Sequence, residues 1–184
     1  QMIVSASALL YKYGHVIDVI RQDGFEPNLK IHYLVEGENL ITQAKSTGMG
    51  IIELSTAFDS LRPDVVITVA DRFETMATAI AASYLNIPLA HVQGGELSGN
   101  IDDSVRHAIT KLAHLHYPST QKSAERILKM GEESWRVKFV GCPSIDILAN
   151  TDLAMPPREY FQETGTGQVF DPIAPYLLVL QHPV

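Results

Sequence analysis

Apolar positions fall into short runs separated by polar turns, and the period changes from run to run. Asp64-Val65-Val66-Ile67-Thr68-Val69 is β-branched almost throughout and follows Pro63, which predicts a central strand buried on both faces. From Phe73 to Tyr84 the apolar spacing becomes helical, rich in Ala and Met, until Asn86-Ile87-Pro88 stops it. Pro88 to Val92 reads as a strand again, a glycine-containing loop follows, and Asp102 to His116 reads as a second helix. Gln121 to Met130 predicts another helix, and Val137 to Val140 a strand ahead of the Gly141-Cys142-Pro143-Ser144 turn. Two strand-helix steps in succession imply parallel pairing with right-handed crossovers. The expected fold class is α/β, an open Rossmann-like parallel sheet whose ligands settle at the carboxyl ends of the strands.

Two further strand-like runs, Met2 to Val4 and Tyr176 to Leu180, lie close to the chain ends. A strand needs neighbours for its backbone groups, so each run implies partners beyond the sequence given. The segment Glu163 to Gly167 is small and polar, with Pro156, Pro157, Pro172 and Pro175 around it, as in a linker. The expected division is a Rossmann-like domain over 1–155, a linker over 156–175, and over 176–184 the first strand of a second, truncated domain.

Composition narrows the classes of function. Over 184 residues, 14 Lys plus Arg against 21 Asp plus Glu give a net charge of −7, and 46% of positions are apolar. That is enough apolar surface for a core, which excludes global disorder. The acidic balance, with no cluster of Lys and Arg, argues against nucleic acid as a partner. No apolar run approaches the roughly 20 residues that span a bilayer, so no membrane partner is expected. Cys142 is the single cysteine, which rules out an internal disulfide and a multi-cysteine metal site. The opening residues lack the features of a signal peptide, and the expected location is cytoplasmic.

The strand-edge rule selects candidate residues. Asp71 and Arg72 lie just past one strand; His91 and Gln93 lie at the end of the next, followed by Gly94, Gly95 and Glu96. Absent side chains at the glycines let a ligand approach the backbone. Each signal also has a plain structural reading: a loop ion pair for Asp71 and Arg72, a turn for the glycines, a satisfied core histidine for His91. In Ser98 to His107, Asn100 is placed as a helix N-cap, with Asp103 beside His107 and Asp102 beside Arg106 at four-residue spacing. Capping and surface ion pairs account for that pattern, and so does a carboxylate-imidazole relay. His114 and His116 read as structural, and no metal site is expected.

The run His91-Val92-Gln93-Gly94-Gly95-Glu96-Leu97-Ser98-Gly99-Asn100-Ile101-Asp102-Asp103-Ser104-Val105-Arg106-His107, continuing to His114, closely resembles the hydrolysing UDP-N-acetylglucosamine 2-epimerases. Asp71-Arg72-Phe73, Gly141-Cys142-Pro143-Ser144 and Leu180-Gln181-His182-Pro183-Val184 support the resemblance, which runs from about Gly14 to the end. It implies the N-terminal half of a GT-B two-domain architecture, with a first strand that normally precedes Met2. The nucleotide sugar would lie between the two domains.

The implied reaction converts UDP-N-acetylglucosamine and water to N-acetylmannosamine and UDP, for sialic acid or related synthesis. It proceeds by elimination and hydration without a redox cofactor. The implied partner is a UDP-sugar, and the whole protein would be a homo-oligomer. By resemblance Asp71 is an acid/base beside the sugar, Arg72 holds the diphosphate, Asp103, Arg106 and Asp102 order the sugar site, and His182 faces the reacting centre. Gln93 departs from the family's catalytic Glu in His-x-Glu-Gly-Gly, and an amide carries no proton at neutral pH. The proton work then passes to Asp71, Glu96, Asp103 or His182. The alternatives are an epimerase for a bacillosamine-type UDP-sugar, a GT-B glycosyltransferase, or a noncatalytic nucleotide-sugar sensor. The fragment alone, with half a cleft, is expected to be inactive.

Overall fold

A computed structural model describes residues 1–69, 71–152, 154, 159–161, 166–167, 171 and 173–180. The chain divides into two units, Gln1–Pro143 and Ser144–Val184. In the first, β1 (Ile3–Ser5) pairs in parallel with β2 (Leu29–Ile31), and β3 (Val66–Val69), β4 (Leu89–Val92) and β5 (Leu115–Tyr117) form a second parallel sheet in that order. The α-helices are α1 (Ile17–Gln22), α2 (Leu40–Leu61), α3 (Phe73–Tyr84), α4 (Ile101–Leu112) and α5 (Gln121–Lys129), with α6 (Pro143–Ala149) running on into the second unit, and short 3-10 turns lie at Ala6–Leu9, Tyr11–Tyr13 and Ser134–Arg136. The alternation of strand and helix with parallel pairing is the Rossmann-like α/β arrangement.

The core forms where α2 and α3 pack on the strands. Ala77, Ala79, Ala81 and Ala82 of α3 are buried with Leu54, Ala57 and Phe58 of α2, Tyr33, Leu89 and Ile109. Small alanines let the α3 backbone come close to its neighbours. Gly50 does the same from α2: a Cβ there would lie 2.9 Å from Tyr33 Cε2 and 3.0 Å from Ala77 Cβ. A 22-residue helix also needs a firm start, and Asn39 supplies it by accepting from the Ile41 and Thr42 amides while Thr42 Oγ1 accepts from the Asn39 amide.

Several expectations change. The strand at Val66–Val69 is an edge of its sheet, with β4 in the centre, and it is not buried on both faces: Ile67 is 66% exposed. Its outer side borders a cavity of about 650 Å³ lined by Ile3 and Ser5 of β1, Leu54 and Phe58 of α2, and Val66 to Val69. The helix expected to reach His116 ends at Leu112, because Leu115–Tyr117, with His116 at its centre, is a strand that pairs with β4. Val137 to Val140 forms one parallel bridge, Val137 to His116, with Lys138 N donating to His116 O at 2.9 Å, and no full strand. Tyr176 to Leu180 lies in no strand among the described residues, and its side chains are exposed. Without sheet neighbours an apolar run has no ladder to join.

Candidate functional site

The loops after β3 and β4 and the N-terminus of α4 meet at the carboxyl end of the three-stranded sheet. Asn100 caps α4 by accepting from the Asp102 amide at 2.9 Å, which fixes the first turn and brings Asp103 and Arg106 to one side. Arg106 is the centre of the cluster. Its guanidinium is 5% exposed; it bonds Asp103 Oδ1 at 2.7 Å and the Glu96 carbonyl at 2.8 Å through Nη1, and Asp71 Oδ2 through Nη2. A buried cation is therefore met by two carboxylates and a carbonyl, as burial of a charge requires. Burial pushes the Arg106 pKa below the usual range, with nearby Arg126 adding repulsion, yet a guanidinium so placed remains charged.

Asp103 also collects four contacts from the preceding loop and from α4. The Ser98 amide and hydroxyl reach Oδ1 at 2.7 and 2.8 Å, the Gly99 amide reaches Oδ2 at 2.8 Å, and Arg106 takes Oδ1. The Ser98 and Gly99 amides hold its carboxyl below the usual carboxylate range. The expected Asp103–His107 relay is not formed, since the Asp103 oxygens are engaged elsewhere. Arg106 pairs with Asp103 at three-residue spacing rather than with Asp102, which makes no ion pair among the described residues.

The turn between β4 and α4 is set by close packing. Gln93 has φ +62° and Gly95 φ +79°, and a Cβ on Gly95 would fall 2.4 Å from the Ser123 carbonyl oxygen. A Cβ on Gly94 would meet His91 Nδ1 at 2.9 Å. Arg126 of α5 donates to the Gly95 carbonyl, so two arginines from successive helices hold successive carbonyls of this turn. The sequence gives no sign of Arg126's part, because the contact spans 31 positions. Glu96 is half-buried, and its carboxylate makes no hydrogen bond or ion pair among the described residues.

The remaining candidates are placed as follows. Arg72 is the N-cap residue of α3 and its side chain is 61% exposed, with Nε on Glu74 Oε2 at 3.2 Å. His91 is a core histidine: it is fully buried, and its Nδ1 lies 3.2 Å from Thr110 Oγ1. The Gln93 amide nitrogen is 3.8 Å from Cys142 Sγ, which ties this loop to the Gly141-Cys142-Pro143-Ser144 turn. His182 lies outside the described residues. Among those residues no three His, Cys, Asp or Glu side chains gather as metal ligands. No helix there is long and apolar enough to cross a membrane.

The fold and site together define a parallel α/β unit in which a buried arginine joins a loop carboxylate, Asp71, to a helix carboxylate, Asp103, beside a Gly-Gly turn. Comparison with known proteins identifies its family: the family model described as UDP-N-acetylglucosamine 2-epimerase matches residues 1–184, and the chain belongs to that family. It is 36% identical over 172 residues to a Legionella pneumophila protein named UDP-N,N'-diacetylbacillosamine 2-epimerase (hydrolyzing), covering 94% of this chain and 44% of that one. It is 29% identical over 152 residues to the UDP-N-acetylglucosamine 2-epimerase of Neisseria meningitidis, covering 83% and 40%. The chain thus spans less than half the length of these relatives. In fold it is similar to the crystal structure of the Neisseria meningitidis UDP-GlcNAc 2-epimerase bound to UDP-GlcNAc, with a TM-score of 0.70 at 20% identity over 80% of this chain and 40% of that one.

Proposed function

We propose that the whole protein is a hydrolysing nucleotide-sugar 2-epimerase, converting UDP-N-acetylglucosamine and water to N-acetylmannosamine and UDP. Within the family, the observation that carries this reading is Arg106 joining Asp71 and Asp103 beside the Gly94-Gly95 turn. Elimination takes the proton from sugar carbon 2 and breaks the bond from carbon 1 to the UDP oxygen, which keeps the electron pair. Water then returns hydroxyl to carbon 1 and a proton to the opposite face of carbon 2.

In this reading Asp71 is the acid/base. Its pairing with Arg106 fixes the carboxylate in place, as a group that takes a proton must be. Glu96, whose carboxylate is unengaged, is the second proton carrier, and His182 acts from the C-terminal segment. Asp103 orients Arg106, having little hydrogen-bonding capacity left for a proton of its own. Arg72, exposed at the N-terminus of α3, compensates the departing diphosphate, where the helix end also favours an anion. Asp102, Gln93, Gly94 and Gly95 border the sugar.

A second reading changes only the sugar. The relative at 36% identity is named for diacetylbacillosamine, and Gln93 replaces an ionisable residue with an amide that can bond a second acetamido group. One experiment tests both: the whole protein is incubated with UDP-N-acetylglucosamine, UDP-diacetylbacillosamine and other UDP-sugars, and the free sugar is identified by NMR. Release of a sugar inverted at carbon 2 is expected, and its identity chooses between the readings. Sugar transferred to an acceptor, or UDP binding without turnover, would overturn both.

A further inference from the structure

The segment that follows β1 touches α3 at the end where Asp71 and Arg72 lie. Ala6 opens it with φ +51°, a left-handed backbone that a residue bearing a Cβ adopts only under strain. Burial holds it there: Ala6 is 2% exposed and packs in one cluster with Phe58 and Ala77. The next residue, Ser7, is thereby brought to α3, and its hydroxyl donates to Glu74 Oε1 at 3.2 Å across 67 positions of sequence.

The other carboxylate oxygen of Glu74 belongs to Arg72. Oε2 accepts from Arg72 Nε at 3.2 Å, and Arg72 Cζ lies 5.9 Å from the centre of the Phe73 ring. The paired side chains differ in exposure, 12% for Glu74 against 61% for Arg72. An acidic residue in the first turn of a helix can serve the helix end from an exposed position. Glu74 is instead largely buried, with one oxygen on each of two separate segments. Arg72 is held through Nε, while its Nη1 and Nη2 make no hydrogen bond or ion pair among the described residues.

We propose, on the reading of Arg72 as the diphosphate's partner, that Glu74 is a positioning residue: it fixes the guanidinium through Nε so that both Nη groups are presented as a fork to the diphosphate, and Ser7 locks Glu74 from the segment after β1. A fork held before the ligand arrives loses less freedom on binding than a free arginine side chain does. An ion pair with a long, exposed partner does not keep its geometry unaided, and the Ser7 bond supplies the second point of attachment. Glu74 also brings a negative charge that opposes an anion, an effect of opposite sign to the tether.

Two substitutions separate charge from tether. Glu74→Gln removes the charge but keeps an oxygen for Nε and a polar partner for the Ser7 hydroxyl, whereas Glu74→Ala removes charge and tether alike. Calorimetric titration of the whole protein with UDP reads the difference. Glu74→Ala is expected to bind UDP about 2- to 10-fold more weakly than Glu74→Gln, and the two should bind equally once Arg72→Met is added. Ser7→Ala, which leaves every charge in place, should weaken binding at least about 2-fold. Thermal melts accompany each titration, since a purely structural role would lower Tm without an Arg72-dependent split in UDP affinity. Equal affinities for Glu74→Ala and Glu74→Gln, or a split that persists with Arg72→Met, would overturn the role of Glu74, and an unchanged Ser7→Ala would overturn the lock; in each case the reading of Arg72 stands if Arg72→Met alone weakens UDP binding. An Arg72→Met variant that binds UDP as the wild type does would overturn that reading and the proposal with it.

Discussion

The two ends of α4 carry ionic clusters of opposite design. At its N-terminus, Arg106 sits buried between Asp71 and Asp103, with the loop amides of Ser98 and Gly99 on the carboxylate side. At its C-terminus the buried member is an anion: Glu132 bonds Lys111 and lies 3.3 Å from Nε2 of His116, which is fully enclosed. Burial works to raise the Glu132 carboxyl, but Lys111 and then His116 outweigh it and hold it below the usual carboxylate range. Burial pushes the His116 imidazole down, against the upward pull of Glu132. The difference lies in what each cluster leaves over. The first faces the carboxyl ends of the strands with an unengaged Glu96 and an exposed Arg72 nearby, whereas the second is enclosed where α4, β5 and the segment after α5 converge, with His116 Nδ1 buried and making no hydrogen bond among the described residues. The chemistry proposed for this protein thus falls at one end of the helix, and the ion pairs at the other end hold the fold together.

Substitutions should separate the two roles. Asp71→Asn in the whole protein is expected to lower turnover by about 10²- to 10⁴-fold, with a loss of stability smaller than that of removing Arg106 because Asp103 remains on the guanidinium, read by the sugar-release assay; near-normal turnover would remove Asp71 from the chemistry. Arg106→Met should reduce turnover and also destabilise by about 3 to 5 kcal/mol, measured by urea unfolding, because two carboxylates lose their cation. Glu132→Gln should cost about 1 to 2 kcal/mol and leave the kinetics of the folded enzyme unchanged. A kinetic defect there would erase the contrast between the two ends.

The smallest effect is that of pH on the second cluster. The folded pKa of His116 lies below its ordinary value of 6.5, so the unfolded chain takes up its proton first on acidification. The stability it contributes is present above about pH 6.5 and is lost as pH falls through the lower folded value. Thermal melts from pH 7.5 to 5 should show a declining Tm that flattens in His116→Gln.

The same comparison explains how much the sequence disclosed. The loop residues of the first cluster are legible because each follows a recognisable strand or opens a capped helix, and α3 at Phe73–Tyr84 coincides with its expected span. Arg106's partners are another matter. Spacing along one helix points to Asp102, while the chain places Asp103 and the distant Asp71 there. The second cluster is hidden for a related reason: Leu115-His116-Tyr117 follows α4 after only Ala113 and His114, so a helical pattern runs on across a real strand. Helix α2 gives no single helical period, because apolar Ile41, Met49 and Ile52 stand among the polar residues of its solvent side. Val66–Val69 has the composition of an interior strand and stands at an edge, since burial depends on neighbours that composition does not name.

That edge has its own consequence. Among the described residues no backbone ladder joins β1 to β3. In the chain of this sequence, amides of Val66 to Val69 that point away from β4 have no ladder partner among the described residues, and deuterium should reach them sooner than it reaches those of Leu89 to Val92 one strand away.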